Sequence, residues 1–220
     1  MRVMLPCRFC RQNGLSLVLL GLFLAFLAGQ IATGFHASNA ERRAQGRPPE
    51  PMADYLESGH FISATFENWE SEFLQMGMYV LLAVGLRQRG SAESRPLDPA
   101  REETRIEAGP TPWPLRAGGR WRWLYANSLA LAYAGLFLLA FVGHAYGSWM
   151  HENEQRAMQD QPPQSVADHV LGAQFWFESM QNWQSEFLAV LSIVVLSIFL
   201  RQDKSPESKP LASPHSQTGT

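Results

Sequence analysis

Cysteine is nearly absent from the chain: its 220 residues hold two, Cys7 and Cys10, in a single C-x-x-C close to the start. A structural zinc site needs four ligands and a disulfide scaffold needs several pairs, so neither organises this protein. The two thiols read as incidental members of a short basic tail. Charge is scarce as well, at 17% of residues, and nearly balanced, with 18 Lys and Arg against 20 Asp and Glu. The central basic residues are interleaved with Glu93, Asp98, Glu102, Glu103 and Glu107, a pattern that argues against a nucleic-acid interface. The P-loop, H-E-x-x-H, G-x-S-x-G and Gly-rich dinucleotide signatures are all missing. No Ser-His-Asp arrangement stands out either. The expectation is a protein without enzymatic activity, metal or cofactor.

What the chain does have is segregated apolar sequence. A mean hydropathy of −0.15 looks soluble, but the average hides two long runs. Leu15–Phe35 carries no charge, and Ala126–Gly147 is similar. Each reaches the ~20 residues needed to cross ~30 Å of hydrocarbon, which predicts transmembrane helices. Arg2, Arg8 and Arg11 ahead of the first run, with Ala37-Ser38-Asn39-Ala40 after it, resemble a cleavable signal. The same segment recurs deep inside the chain, where no signal can act, so a retained helix is expected.

That recurrence is general. Shifted by 114 positions, residues 13–91 align without a gap on 127–205. G-L-F-L recurs at Gly21–Leu24 and Gly135–Leu138, Pro48-Pro49 matches Pro162-Pro163, and NWESEFL at 68–74 matches NWQSEFL at 182–188. Each half ends on Arg-Gln, at Arg87 and Arg201. So long a period reads as a duplicated structural unit. The second apolar run of each half, Phe73–Leu86 and Phe187–Leu200, is shorter at fourteen residues. The expected fold class is all-α integral membrane: four transmembrane helices forming two parallel-oriented helical-hairpin repeats, with helical extensions on the outer side. The expected boundaries are an N-tail 1–12, repeat 1 at 13–91 (spans 15–35 and 69–86, outer loop 36–68), a flexible linker 92–120, repeat 2 at 121–205 (spans 126–147 and 183–200, outer loop 148–182) and a disordered tail 206–220. Fourteen of the 18 Lys and Arg residues lie in the tails and centre and four in the hairpin loops, which places both termini in the cytoplasm. Trp121, Trp123 and Tyr125 then suit the inner interface, and Trp69, Trp149 and Trp183 the outer one.

Fourteen helical residues span only ~21 Å, so the shorter helices should draw polar sequence toward the membrane. Counting depth puts Gln30, Glu72, His144 and Glu186 at one level, as a candidate intramembrane polar layer. Ionisable groups at such depth are costly and should face the bundle interior. Asn68 shares a helical face with Phe61, Thr65 and Glu72, and Asn182 does so with Phe175, Ser179 and Glu186. In this layer a bland role, hydrogen bonding between helices, competes with an ion or substrate pathway. In the outer loops Arg42 with Asp54, and Arg156 with Asp168, are candidate pairs closing each hairpin; Asn39 and Asn153 also match.

The stretches NGLSLVLLGLF, SGHFISATFENWESEFLQM and RQRGSAES resemble an uncharacterised family of bacterial multi-pass membrane proteins, catalogued as a domain of unknown function. The resemblance covers most of 9–95 and 120–205 and implies a bacterial inner-membrane location. It supplies no activity or catalytic residue. The reading that follows is a non-enzymatic structural or interaction protein of the envelope. Its partners would be the lipid bilayer and either a second copy of itself or an envelope protein. A small transporter or channel subunit using Glu72 and Glu186 is the alternative.

Overall fold

The structure, a computed structural model, describes residues 8–98 and 106–219. Cys7, Arg2, Arg101 and Arg105 therefore lie outside the described residues; Cys10 is not free. Among the described residues nine helices follow one another: α1 Arg8–Gln12, α2 Gly14–Ala44, α3 Met52–Glu57, α4 Gly59–Gly85, α5 Trp113–Ala117, α6 Gly119–Ala126, α7 Ser128–Met158, α8 Val166–Val170 and α9 Ala173–Phe199. No strand occurs among the described residues. The bounds of α7 and α9 are those of α2 and α4 displaced by 114.

Among the described residues three helices, α2, α7 and α9, are long and apolar enough to cross a membrane. The 31 residues of α2 and of α7 reach ~46 Å, more than the ~30 Å of hydrocarbon, so each has length to spare. Their apolar surface is not buried inside the protein: 0% of the α2 window, 11% of the α7 window and 6% of the α9 window is covered. Leu19, Leu22, Phe26, Leu138, Val142, Leu188 and Leu191 are all exposed, a surface suited to hydrocarbon and not to water. The fourth long helix, α4, has 27 residues but falls short of that apolarity. Its apolar run begins only at Phe73, behind Glu67, Asn68, Glu70 and Glu72.

Helix α4 packs along the length of α7, and against α9 over a shorter stretch, while α2 touches it lightly. The reason is glycine. A Cβ on Gly147 would lie 2.4 Å from the Ser63 backbone nitrogen, and one on Gly59 would lie 2.4 Å from that of His151. A Cβ on Gly143 would strike the Phe66 ring at 2.5 Å. Small residues let two helix backbones approach in this way. At the positions aligned with Gly147 and Gly59, α2 and α9 carry Thr33 and Ala173, which cannot come so close, while Gly29 matches Gly143; α2 and α9 make no comparable packing. Aromatic contacts fill the looser seams, Phe23 with Trp69 between α2 and α4, and Phe137 with Trp183 between α7 and α9.

The ends of the helices follow from single residues. Past α2, Gly46 takes φ +74°, and Arg47 N–H returns to the Arg42 carbonyl at 2.8 Å. At the aligned place Asp160 takes φ +54°, and Gln161 N–H returns to Arg156 at 2.9 Å. Pro48 and Pro49 then lack N–H groups, so the chain needs another anchor. Asn39 supplies it: its carboxamide accepts from Glu50 N–H at 2.7 Å and donates to the Glu50 carbonyl at 3.1 Å. Asn153 grips Gln164 in the same two-bonded way, at 2.8 and 3.1 Å. Ser58 caps α4 and Ser165 caps α8.

The opposite end is more ordered than composition suggested. Arg87 and Arg201 donate to the last carbonyls of α4 and α9, and each is followed by R-Q-x-x-S-x-E-S, at 87–94 and 201–208. The two loops fold alike, with Gln88 N–H on Ser94 Oγ at 3.0 Å and Gln202 N–H on Ser208 Oγ at 2.9 Å. Residues 209–219 have no helix, yet they are tied down. Buried Lys209 donates to the carbonyls of Gly90, His215 and Gln217, and Gly219 N–H bonds the Ser91 carbonyl at 2.9 Å. In the linker, α5 and α6 replace part of the irregular chain expected over 92–120, of which 99–105 lie outside the described residues.

Candidate functional site

Farther along the seam between α4 and α7, a carboxylate and an imidazole meet. Glu70 and His144 are both fully buried, with His144 Nδ1 2.8 Å from Glu70 Oε2. The other oxygen of the same carboxylate accepts from Trp183 Nε1 on α9 at 2.9 Å. Phe175 lies against the imidazole with ring centres 4.8 Å apart. One side chain of α4 thus holds two other helices. A buried carboxylate is costly unless paired and hydrogen-bonded, and Glu70 is both.

Further polar groups ring this knot. Asn182 donates to Glu67, and Gln75 Nε2 donates to the Glu186 carbonyl at 2.8 Å, so α4 and α9 are joined on either side of Trp183. Glu178 accepts from Gln174 at 2.7 Å and faces His144 Nε2 at 3.9 Å, too far for a hydrogen bond. That nitrogen has no hydrogen-bond partner. Above the knot, toward the proline-pair end, a cleft of about 620 Å³ opens between α4, α7 and the α8–α9 arm. Glu67, Glu178, Glu152 and His169 line it among other polar residues. His169 bonds Ser148 at 2.7 Å and Gln164 at 2.9 Å, and its burial pulls the imidazole pKa below the usual value. Among the described residues no group of three or more His, Cys, Asp or Glu side chains could hold a metal ion.

The four residues expected at one level do not meet as a layer. Gln30 donates to Thr65 Oγ1 at 3.2 Å, a neutral bond between α2 and α4. His144 joins Glu70. Glu72 is exposed, and Glu186 is half-buried and engaged through its backbone. The expected inner face of α4 is rotated: Asn68 is exposed and bonds its own helix at Ala64, while Glu70, Ser71 and Gln75 are buried. In α9, Phe175 and Ser179 are buried and Asn182 donates to Glu67.

The two expected loop pairs are not formed. Arg42 instead reaches Glu50 at 3.4 Å and Glu154 of α7 at 3.2 Å, while Asp54 sits exposed in the first turn of α3. Arg156 pairs with Glu152 one turn back at 2.9 Å, and Asp168 accepts from the Ser165 hydroxyl at 2.7 Å while its own N–H donates to that hydroxyl at 3.1 Å.

Reasoning from the sequence missed Glu67, Glu70, Glu178 and Trp183 as a cluster. A signal was present. Glu70 aligns with Gln184 and His144 with Gln30, so both halves of one ion pair are replaced together by amides in the other copy. Reading those two departures jointly would have paired α4 with α7.

No curated protein and no solved structure matches the chain. Residues 6–220 match a family described as a domain of unknown function (DUF6766), and the chain belongs to that family.

Proposed function

We propose that the chain is a multi-pass protein of the bacterial inner membrane, and that its role is structural or interactive and not enzymatic. In this reading α2, α4, α7 and α9 all span the bilayer as two copies of one hairpin. The termini are cytoplasmic and the proline-pair tips face outward. The matched bounds of the four long helices, the paired Asn39 and Asn153 clamps and the twin R-Q-x-x-S-x-E-S loops support the duplication. The charge asymmetry of Lys and Arg supports the orientation.

One observation carries the structural role: the deepest polar groups are spent on holding helices together. Glu70 is saturated by His144 and Trp183, and Gln30 and Gln75 each serve a neighbouring helix. Such bonds between spans are the ordinary adhesive of membrane bundles. The protein then presents its outer helical arms to an envelope partner or to a second copy. Reconstitution in liposomes under a pH gradient tests the reading. The expected result is a leak no greater than that of empty vesicles. A specific flux that disappears in Glu72→Gln and Glu186→Gln would favour transport instead.

A further inference from the structure

We infer that a second copy of the chain covers α9, laying its own α2 along the face of α9 that one chain leaves open. The starting point is the duplication. Within one chain the two repeats meet through α4 of the first and α7 of the second. On α4 that seam runs through Gly59, Ile62, Ser63, Phe66, Glu70 and Gly77. Moved by 114 positions, these become Ala173, Trp176, Phe177, Met180, Gln184 and Leu191 of α9, and every one of them is exposed. The α7 side of the seam includes Gly143, Gly147 and His151. Their counterparts on α2, Gly29, Thr33 and Ala37, are exposed as well, and a Cβ on Gly29 would meet nothing within 4 Å. A seam closed once inside the chain is thus left open once on its outside.

Lipid does not account for the whole of this face. Counting ~20 residues back from Leu200 uses up ~30 Å of hydrocarbon, so Ala173–Met180 stand beyond it. There Phe177 and Met180 are 62% and 50% exposed. Lower on the same face the Gln184 side chain bonds nothing among the described residues. An unpaired amide at the level of the membrane is costly and seeks a partner on another helix. In the repeated seam Gln184 faces Gln30 as Glu70 faces His144. Gln30 donates to Thr65 at 3.2 Å, and its carbonyl oxygen accepts from nothing among the described residues, so it can receive the Gln184 amide. Thr33 and Ala173 exclude the glycine-close approach but not the ordinary ~8–10 Å between packed helices. Phe177 stands where α4 has Ser63, which fills the wider gap. Because α9 of one copy meets α2 of the next, the contact runs head to tail and closes as a ring of two or more copies. This rests on the membrane reading above and takes a second copy, not another envelope protein, as the partner.

Cross-linking in membranes tests it. One form of the full chain carries Thr33→Cys and a second, differently tagged form carries Phe177→Cys, both with Cys7→Ser and Cys10→Ser, so no disulfide can join the two positions within one chain. Oxidation of membranes holding both forms is expected to give a mixed disulfide-linked dimer, and Leu196→Cys in place of Phe177→Cys is expected to give none. Light scattering of the chain in mild detergent is expected to show two or more copies. Gly29→Leu, which has open space within one chain, is expected to weaken self-association at least tenfold with unchanged helical circular dichroism. No mixed dimer, equal cross-linking through Leu196→Cys, a monomer at every concentration, or undiminished self-association in Gly29→Leu would overturn the inference. A monomer released from membranes by detergent alone would leave the membrane reading standing, whereas release by an alkaline wash would sink both.

Discussion

Glu70 and His144 show how one residue pair organises the molecule. Glu70→Gln should cost about 2–3 kcal/mol, the worth of a charge-assisted bond. His144→Gln should cost a similar amount. The double variant reproduces the Gln184 and Gln30 of the other copy and should lose clearly less than the sum, because neither charge is then left alone. Unfolding in mixed detergent micelles measures all four corners of the cycle. Asn39→Ala and Asn153→Ala remove both bonds to the residue that follows a proline pair. Faster hydrogen exchange at the Glu50 or Gln164 amide is the expected sign. His169 gives a pH dependence. Its folded pKa is lowered by burial, so its contribution is complete above the unfolded value of ~6.5 and is lost as pH falls below it. Exchange protection in residues 164–172, taken relative to the intrinsic rate at each pH, should therefore fall as pH drops below ~6.5, and His169→Gln should flatten the response.

At the level of elements, the decisive contact is the α4–α7 crossing. Gly147→Val places a branched side chain where even a Cβ meets the Ser63 backbone at 2.4 Å, so the helices must separate. Loss of folded protein, or a large drop in unfolding midpoint, is the expected outcome. Gly21→Ala on α2 meets nothing within 4 Å and should be neutral or slightly stabilising, since alanine favours helix by about 1 kcal/mol. The existence of α2, α7 and α9 was legible in their apolar runs, because an apolar run of this kind suits a helix in hydrocarbon; their full lengths of 31, 31 and 27 residues reach well beyond those runs. The rotation of α4 was not. Its Asn68, Glu70, Ser71, Glu72 and Gln75 scatter polar atoms around most of the helix, so no single face declares itself. Neighbouring glycines chose the buried side.

Across the whole molecule, the arrangement is an open cluster around α4 with much apolar surface left outward. Lipid is the natural cover for it. Single cysteines at the proline-pair tips should react with an impermeant reagent in intact cells, and cysteines near Ile106 should not; the reverse pattern would refute the proposed orientation. At the terminal end Lys209 binds the tail to the first loop through carbonyls alone. Lys209→Met keeps the length but removes the donors, and faster proteolysis of residues 210–219 is expected.

Sequence alone determined the helical class, the long apolar helices, the proline-bounded arms and the correspondence at an offset of 114, since each depends on local composition or on comparing the chain with itself. Tertiary structure decided which helix meets which. Backbones separated only by hydrogen atoms can approach closely, so Gly59, Gly143 and Gly147 joined α4 to α7, and Thr33 and Ala173 denied the same closeness to α2 and α9. From that unequal approach came the burial of Glu70 against His144, which neither residue announces by itself.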